Sequence, residues 1–149
     1  MRLLGLILLA LPALAVACVN SAPSGPVTPA DVRKNLHSWN GLEVVVVGWL
    51  GRCGESGPLS SCDLFTSKAD IEASQWRGVE SKDFARAWEH SLSIGGDDAF
   101  DKSAAPLQGQ FVKIKGLVDD SCRRPDVHCT DRASDFEPQS IEPAIPQGT

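Results

Sequence analysis

The chain has 149 residues, which leaves room for one domain with a modest core rather than two. Its 14 Lys+Arg against 19 Asp+Glu give a net charge of −5, which argues against a general nucleic-acid binder, since that activity needs basic surface to displace counterions from phosphate. Tyrosine is absent, so four tryptophans and five phenylalanines supply all the bulky aromatic contact.

Residues 1–17 carry one base, Arg2, then an apolar run too short to span a bilayer, then the small residues Ala15 and Ala17. This is the pattern of a signal peptide cut after Ala17. Cys18 follows at once and resembles the modified cysteine of bacterial lipoproteins. The resemblance implies a lipid on Cys18 and, with Val19 rather than Asp as the next residue, outer-membrane placement facing the periplasm. The alternative is a soluble periplasmic or secreted protein with an unmodified Cys18. Five cysteines are odd in number, and setting Cys18 aside leaves Cys53, Cys62, Cys122 and Cys129 as an even set. Residues 18–27 then serve as lipid-anchor cysteine and flexible tether.

Thr28-Pro29-Ala30-Asp31 places a capping residue, a proline and an acid where a helix begins, and Val32, Leu36 and Trp39 share one face of a helix over 29–39. Asn40-Gly41 ends it, and His37 falls on the solvent side. Gly41–Cys53 is a long strand broken by Gly48, with a fainter copy at 109–118 broken by Gly116. Aligning the two glycines assigns Val44, Val46, Leu50, Val112, Ile114 and Val118 to the core. Val45, Val47 and Trp49 then face outward, and the 29–39 helix is expected to cover them; the competing expectation is a ligand-facing surface. Glycine inside each strand permits a bulge or sharp coil.

Four cysteines permit three pairings. Cys53 with Cys62 and Cys122 with Cys129 is the most economical, each closing a loop that leaves one long strand. The spacings do not suit a zinc site, so neither metal nor cofactor is expected. Cys62–Thr66 follows as a second strand. Residues 67–90 are hard to read, apart from a short helix at Ser81–Trp88 with Phe84 and Trp88 on one side. Ser91–Ile94 alternates into a short third strand and stops at Gly95-Gly96. Asp97–Asp101 lacks the glycine and terminal glutamate of a calcium loop and instead opens a short helix between strands three and four. After the charged loop 119–135, Phe136–Ile141 is an edge strand tolerant of Pro138, and 143–149 is a disordered tail.

Together these elements predict a mainly β domain over 28–142. Val44-Val-Val-Val-Gly48-Trp-Leu and Val112-Lys-Ile-Lys-Gly116-Leu-Val resemble the glycine-bent strands of OB-fold domains and of small exported bacterial OB-like proteins. The resemblance covers residues 41–142. It implies a five-stranded Greek-key barrel with a short N-terminal helix, two local disulfides and the largest insertion between strands three and four. OB-folds bind ligands on strands two and three and on the loops that the cysteine pairs would rigidify. A partner face would therefore draw on Trp49, Arg52, Phe65, Arg123, Arg124 and Arg132, meeting an anionic glycan or an envelope protein. Asp119, Asp120, Asp126, Asp131 and Asp135 compete for those arginines, and ion pairing within the loop can consume them. The basic, aromatic strands of nucleic-acid binders are missing. His37, His90 and His128 lie in separate segments and Gly54-Glu-Ser-Gly57 is not a nucleophile elbow, so no catalytic residue is assigned. The expected function is a non-enzymatic, lipid-anchored envelope module. An oligonucleotide or oligosaccharide binder, or a small hydrolase, is the alternative.

Overall fold

The computed structural model describes residues 21–53, 62–74, 82–123 and 134–146. The leader, Cys18, Arg124, Cys129 and Arg132 lie outside these residues. So do residues 54–61, 75–81 and 147–149.

In chain order the elements are α1 (Pro29–Asn35), β1 (Glu43–Cys53), β2 (Cys62–Phe65), α2 (Lys68–Ser74), α3 (Lys82–Glu89), β3 (Ser91–Ile94), α4 (Asp98–Ala104), β4 (Phe111–Val118) and β5 (Phe136–Pro143). Single 3-10 turns precede and follow β4, at Ala105–Leu107 and Ser121–Arg123. The strands form one mixed sheet that closes into a ring in the order β1, β2, β3, β5, β4. Every neighbouring pair is antiparallel except β3 and β5, which meet in parallel at Ile94 and Phe136.

Strand alternation fills the ring. Val44, Val46 and Leu50 of β1 and Val112, Ile114 and Val118 of β4 are each no more than 3% exposed, and Leu64, Leu92, Ile94 and Phe136 join them. Gly48 and Gly116 occupy the same inward positions, where the missing side chain lets a neighbour approach. A Cβ on Gly48 would stand 2.7 Å from the Phe65 carbonyl oxygen and 3.0 Å from Leu64 Cγ. One on Gly116 would stand 2.7 Å from Phe136 Cε1 and strike the Glu137 carbonyl. Each glycine therefore marks the point where the next strand folds in.

The N-terminal helix starts as its sequence dictates. Thr28 Oγ1 accepts from Asp31 N at 3.2 Å while Asp31 Oδ2 accepts from Thr28 N at 3.0 Å, a reciprocal capping box with Pro29 at the first helical position. It is shorter than the 29–39 expected, ending at Asn35, with Gly41 at φ 76° turning the chain into β1. Its place also differs from expectation. Val32 and Leu36 are buried with the inward residues of the ring, so α1 does not lie over Val45, Val47 and Trp49. β2 pairs with β1 only from Trp49 onward, and α1 fills the opening beneath it, with the Ala30 amide donating to Thr66 Oγ1 at 3.3 Å. Val27 seals the exposed edge of β1, its N–H donating to Val45 O and its carbonyl accepting from Val47 N, both at 2.9 Å. This end of the proposed tether is thus part of the sheet.

β5 is not the simple edge strand expected. Phe136 is completely buried and its carbonyl accepts from Gly95 N at 2.8 Å, which closes the ring. From Glu137 onward β5 has only β4 beside it among the described strands. It extends to Pro143, and Ala144 N still donates to Phe111 O at 2.9 Å, so the chain is ordered past the predicted start of the tail. Between Lys115 and Gly116 the partner jumps from Ser140 to Pro138, leaving Gln139 as an extra residue. This bulge resets the alternation, so Phe136 and Ile141 both turn toward the core. Because the Phe111 and Ala144 pair is hydrogen-bonded, antiparallel geometry points the backbone of Pro143, Ile141 and Pro138 away from β4. Both prolines thus sit where a missing N–H costs the ladder nothing.

The larger insertion lies between β2 and β3, where residues 66–90 hold α2 and α3; residues 95–110, between β3 and β4, hold α4. α4 is capped by Asp97 Oδ1, which accepts from Ala99 N and Phe100 N at 3.0 and 2.9 Å, and it buries Phe100 and Ala104 against the core.

Candidate functional site

The outer wall of the ring is where a ligand or partner would meet the strands. On it, Trp49 is flanked across the sheet by Phe65 of β2 and Phe111 of β4. The Trp49 and Phe111 rings meet edge to face, 5.5 Å apart at 68°, and Lys68 Nζ lies 5.6 Å from the Trp49 ring centroid. Trp49 is half-buried and Arg52, further along the strand, is exposed. Phe65 differs: it is 2% exposed, with the Trp88 ring of α3 standing against it at 6.1 Å and Phe84 against Trp88 at 6.0 Å. The α2 and α3 insertion therefore roofs the part of the wall on which Phe65 was expected to be presented. Trp88 itself remains 38% exposed.

Toward the other end of β2 and β3 the wall is acidic. Asp63 and Ser93 face each other across the two strands, with Ser93 Oγ 3.5 Å from Asp63 Oδ1. Burial pushes the Asp63 carboxyl up to about 6; the hydrogen bond from Ser93 opposes this and the nearby charge of Asp135 adds to it. Asp135, 1% exposed, receives two arginines. Arg123 approaches side-on, Nε to Oδ1 at 2.7 Å and Nη2 to Oδ2 at 2.8 Å, and Arg33 of α1 donates Nη1 to Oδ2 at 2.7 Å. The hydrogen bonds to Asp135 hold the Arg123 proton more tightly than usual. A second knot joins the same two segments: His37 Nδ1 is 2.6 Å from Oδ2 of the buried Asp120, whose backbone N–H donates to Asn40 Oδ1 at 3.1 Å. His37 is fully on the surface, as expected, although α1 ends before reaching it.

These contacts place the residues singled out from sequence. Trp49 lies on the outer wall, Arg52 is exposed beyond the register shift that follows Leu50, Phe65 lies beneath the insertion, and Arg123 is engaged by Asp135. Arg124 and Arg132 fall outside the described residues. Cys53 and Cys62 form a disulfide at the last rung of the β1 and β2 ladder, with Cα atoms 4.2 Å apart. Cys122 is also disulfide-bonded; the expected Cys122 to Cys129 pairing involves Cys129, which lies outside the described residues. Lys68 and Asp135 were missed from sequence. Lys68 sits in the unreadable insertion, and Asp135 stands among many loop acids, distinguished only by preceding the core residue Phe136.

Chemically, the buried Asp135 serves as an anchor for two arginines of the same chain. Among the described residues, no group of three or more His, Cys, Asp or Glu side chains is placed to hold a metal ion. No helix of the described residues is long and apolar enough to cross a membrane.

No family model matches the chain, and no curated protein matches it. Among solved structures it is similar to an OBody, AM3L15, bound to hen egg-white lysozyme, at 20% identity and a TM-score of 0.45, covering 84% of this chain and 98% of that one.

Proposed function

We propose that the closed sheet is an OB-fold-like Greek-key barrel and that the protein is a non-enzymatic binding module held in the cell envelope by a lipid on Cys18. The ring order, with β3 and β5 parallel at a single bridge, supports the fold reading. The functional reading rests on one observation: the insertion roofs Phe65 but leaves the Trp49 and Phe111 rung on the outer wall with Lys68 above it, and Arg52 is exposed three residues further along β1. Aromatic surface beside fixed cations suits an anionic glycan or an acidic segment of an envelope protein. Asp135 and Asp120 are engaged by Arg33, Arg123 and His37, which favours a structural role for these acids over a catalytic one.

Membrane attachment is tested by Cys18→Ser, which releases the protein from membranes; continued association of that variant rejects the lipid. The surface is tested by crosslinking in intact envelopes. Species captured by the unaltered chain are lost in Trp49→Ala and in Arg52→Glu, whereas undiminished capture by both variants rejects the Trp49 wall. A neutral oligosaccharide is the second reading, favoured by the half-buried Trp49 and the exposed Trp88, since sugars stack on indole faces. Tryptophan fluorescence then changes on glycan titration without dependence on salt.

A further inference from the structure

We infer that the domain stands on the membrane in one orientation, with the part of the outer face around Val45, Lys113, Lys115 and Glu142 against zwitterionic phospholipid headgroups and the Trp49 and Phe111 rung at the opposite end of the ladder from Leu117; this rests on the lipid-anchor reading above. Val27 is fixed to β1 by two backbone hydrogen bonds, and Pro23, Ser24, Gly25 and Pro26 line a groove of about 480 Å³ whose other walls include Val45, Lys113 and Glu142. The chain therefore runs along this face as it leaves the domain. From Pro23 back to Cys18 there are five peptide steps, which span at most about 17 Å when fully extended. A lipid on Cys18 would keep the groove within that distance of the headgroup layer.

The face has the chemistry for that contact. Lys113 pairs with Glu142, and Lys115 Nζ pairs with Glu43 Oε1 at 2.8 Å, so cations and anions alternate across it with no net charge. Both lysines are nearly half exposed, at 44% and 48%, and Leu117 beside them is 39% exposed. Phosphatidylethanolamine offers a phosphate to the ammonium groups and an ammonium to the carboxylates. The chain without its leader carries thirteen Lys+Arg against nineteen Asp+Glu, so much of its remaining surface is acidic. Turning the neutral face downward keeps that acidic surface away from any anionic lipid in the leaflet.

The test is amine footprinting of the acylated full chain on phosphatidylethanolamine-rich vesicles, compared with the soluble Cys18→Ser chain. Lys113 and Lys115 should lose reactivity several-fold on vesicles, while Lys82 and Lys102 stay unchanged. A flexible insert of about 20 Gly/Ser residues between Ser21 and Ala22 adds roughly 25 Å of reach and should restore the reactivity of both lysines. Flotation with the vesicles is scored first. A chain that does not float overturns the lipid anchor and the orientation with it. A chain that floats with Lys113 and Lys115 fully reactive overturns the orientation alone.

Discussion

Arg33 in the first helix reaches across 102 positions of sequence to Asp135 at the foot of the last strand, Nη1 to Oδ2 at 2.7 Å. Since Arg123 grips the same carboxylate, one buried acid ties α1, the segment after β4 and the start of β5 together. Asp135→Asn would keep the shape but leave two guanidinium groups facing a neutral amide. The expected loss is about 2–4 kcal/mol of stability, because breaking a buried pair from the buried side strands the charges that remain. Arg123→Gln, altered on the half-exposed side, is expected to cost less than about 1 kcal/mol. Urea midpoints of the two variants give the comparison, and equal effects would show that Asp135 is not the shared anchor.

Asp63 makes stability depend on pH. Its folded-state value of about 6 lies above the ordinary 3.8, so between those values the folded chain holds a proton that the unfolded chain has released. The contribution of Asp63 is therefore greatest below pH 4 and is lost as pH rises through 6. Asp63→Asn removes the charge, so it is expected to stabilise the fold by roughly 1–2 kcal/mol at pH 7.5 and by little at pH 4. Denaturation curves at the two pH values check the sign; a gain confined to pH 4 would contradict it.

Gly116 and Gly109 separate packing from backbone strain. Gly109 has φ 76° with open space around its Cβ position, so Gly109→Ala pays only for the left-handed conformation, about 1 kcal/mol. Gly116→Ala drives a methyl into the Phe136 ring and the Glu137 backbone, and is expected to cost at least about 3 kcal/mol. Thermal melts of the pair should rank in that order.

Removing the Cys53 and Cys62 bridge by double alanine substitution opens the loop it closes. The expected loss is roughly 2–3 kcal/mol by the loop-entropy estimate. The same shift should appear when the unaltered chain is reduced, apart from any contribution of the Cys122 disulfide.

The strands were legible because burial writes itself at period two. Ser91–Ile94 has the predicted bounds, and all six inward residues of β1 and β4 follow from aligning Gly48 with Gly116. Helix starts were legible from side-chain chemistry at Thr28 and Asp97. What failed needed three dimensions. The Val32 and Leu36 stripe shows that α1 buries one face but not which surface receives it, and β2 is short enough that the helix enters the opening beneath it. Phe65 looks like a presented aromatic until the insertion brings Trp88 over it. Charge in a loop normally means solvent, so nothing near Asp135 announces that it is buried between two arginines. Among the candidate site residues, Trp49 could be placed on the outer wall from its position in β1; Arg52 has the parity of the inward set and is exposed only because the register shifts between Leu50 and Cys53, and Lys68 could not be placed at all.

The bulge at Gln139 has a consequence for how copies of this protein behave side by side. By shifting the alternation one place, it turns both Pro138 and Pro143 toward the flank of β5 that faces away from β4 and that α4 borders in part, leaving Ile141 as the residue there with a certain amide to offer. An incoming strand from a neighbouring molecule would find carbonyl oxygens and pyrrolidine rings where it needs donors. Molecules crowded on a surface could collide flank to flank without templating one another into fibres.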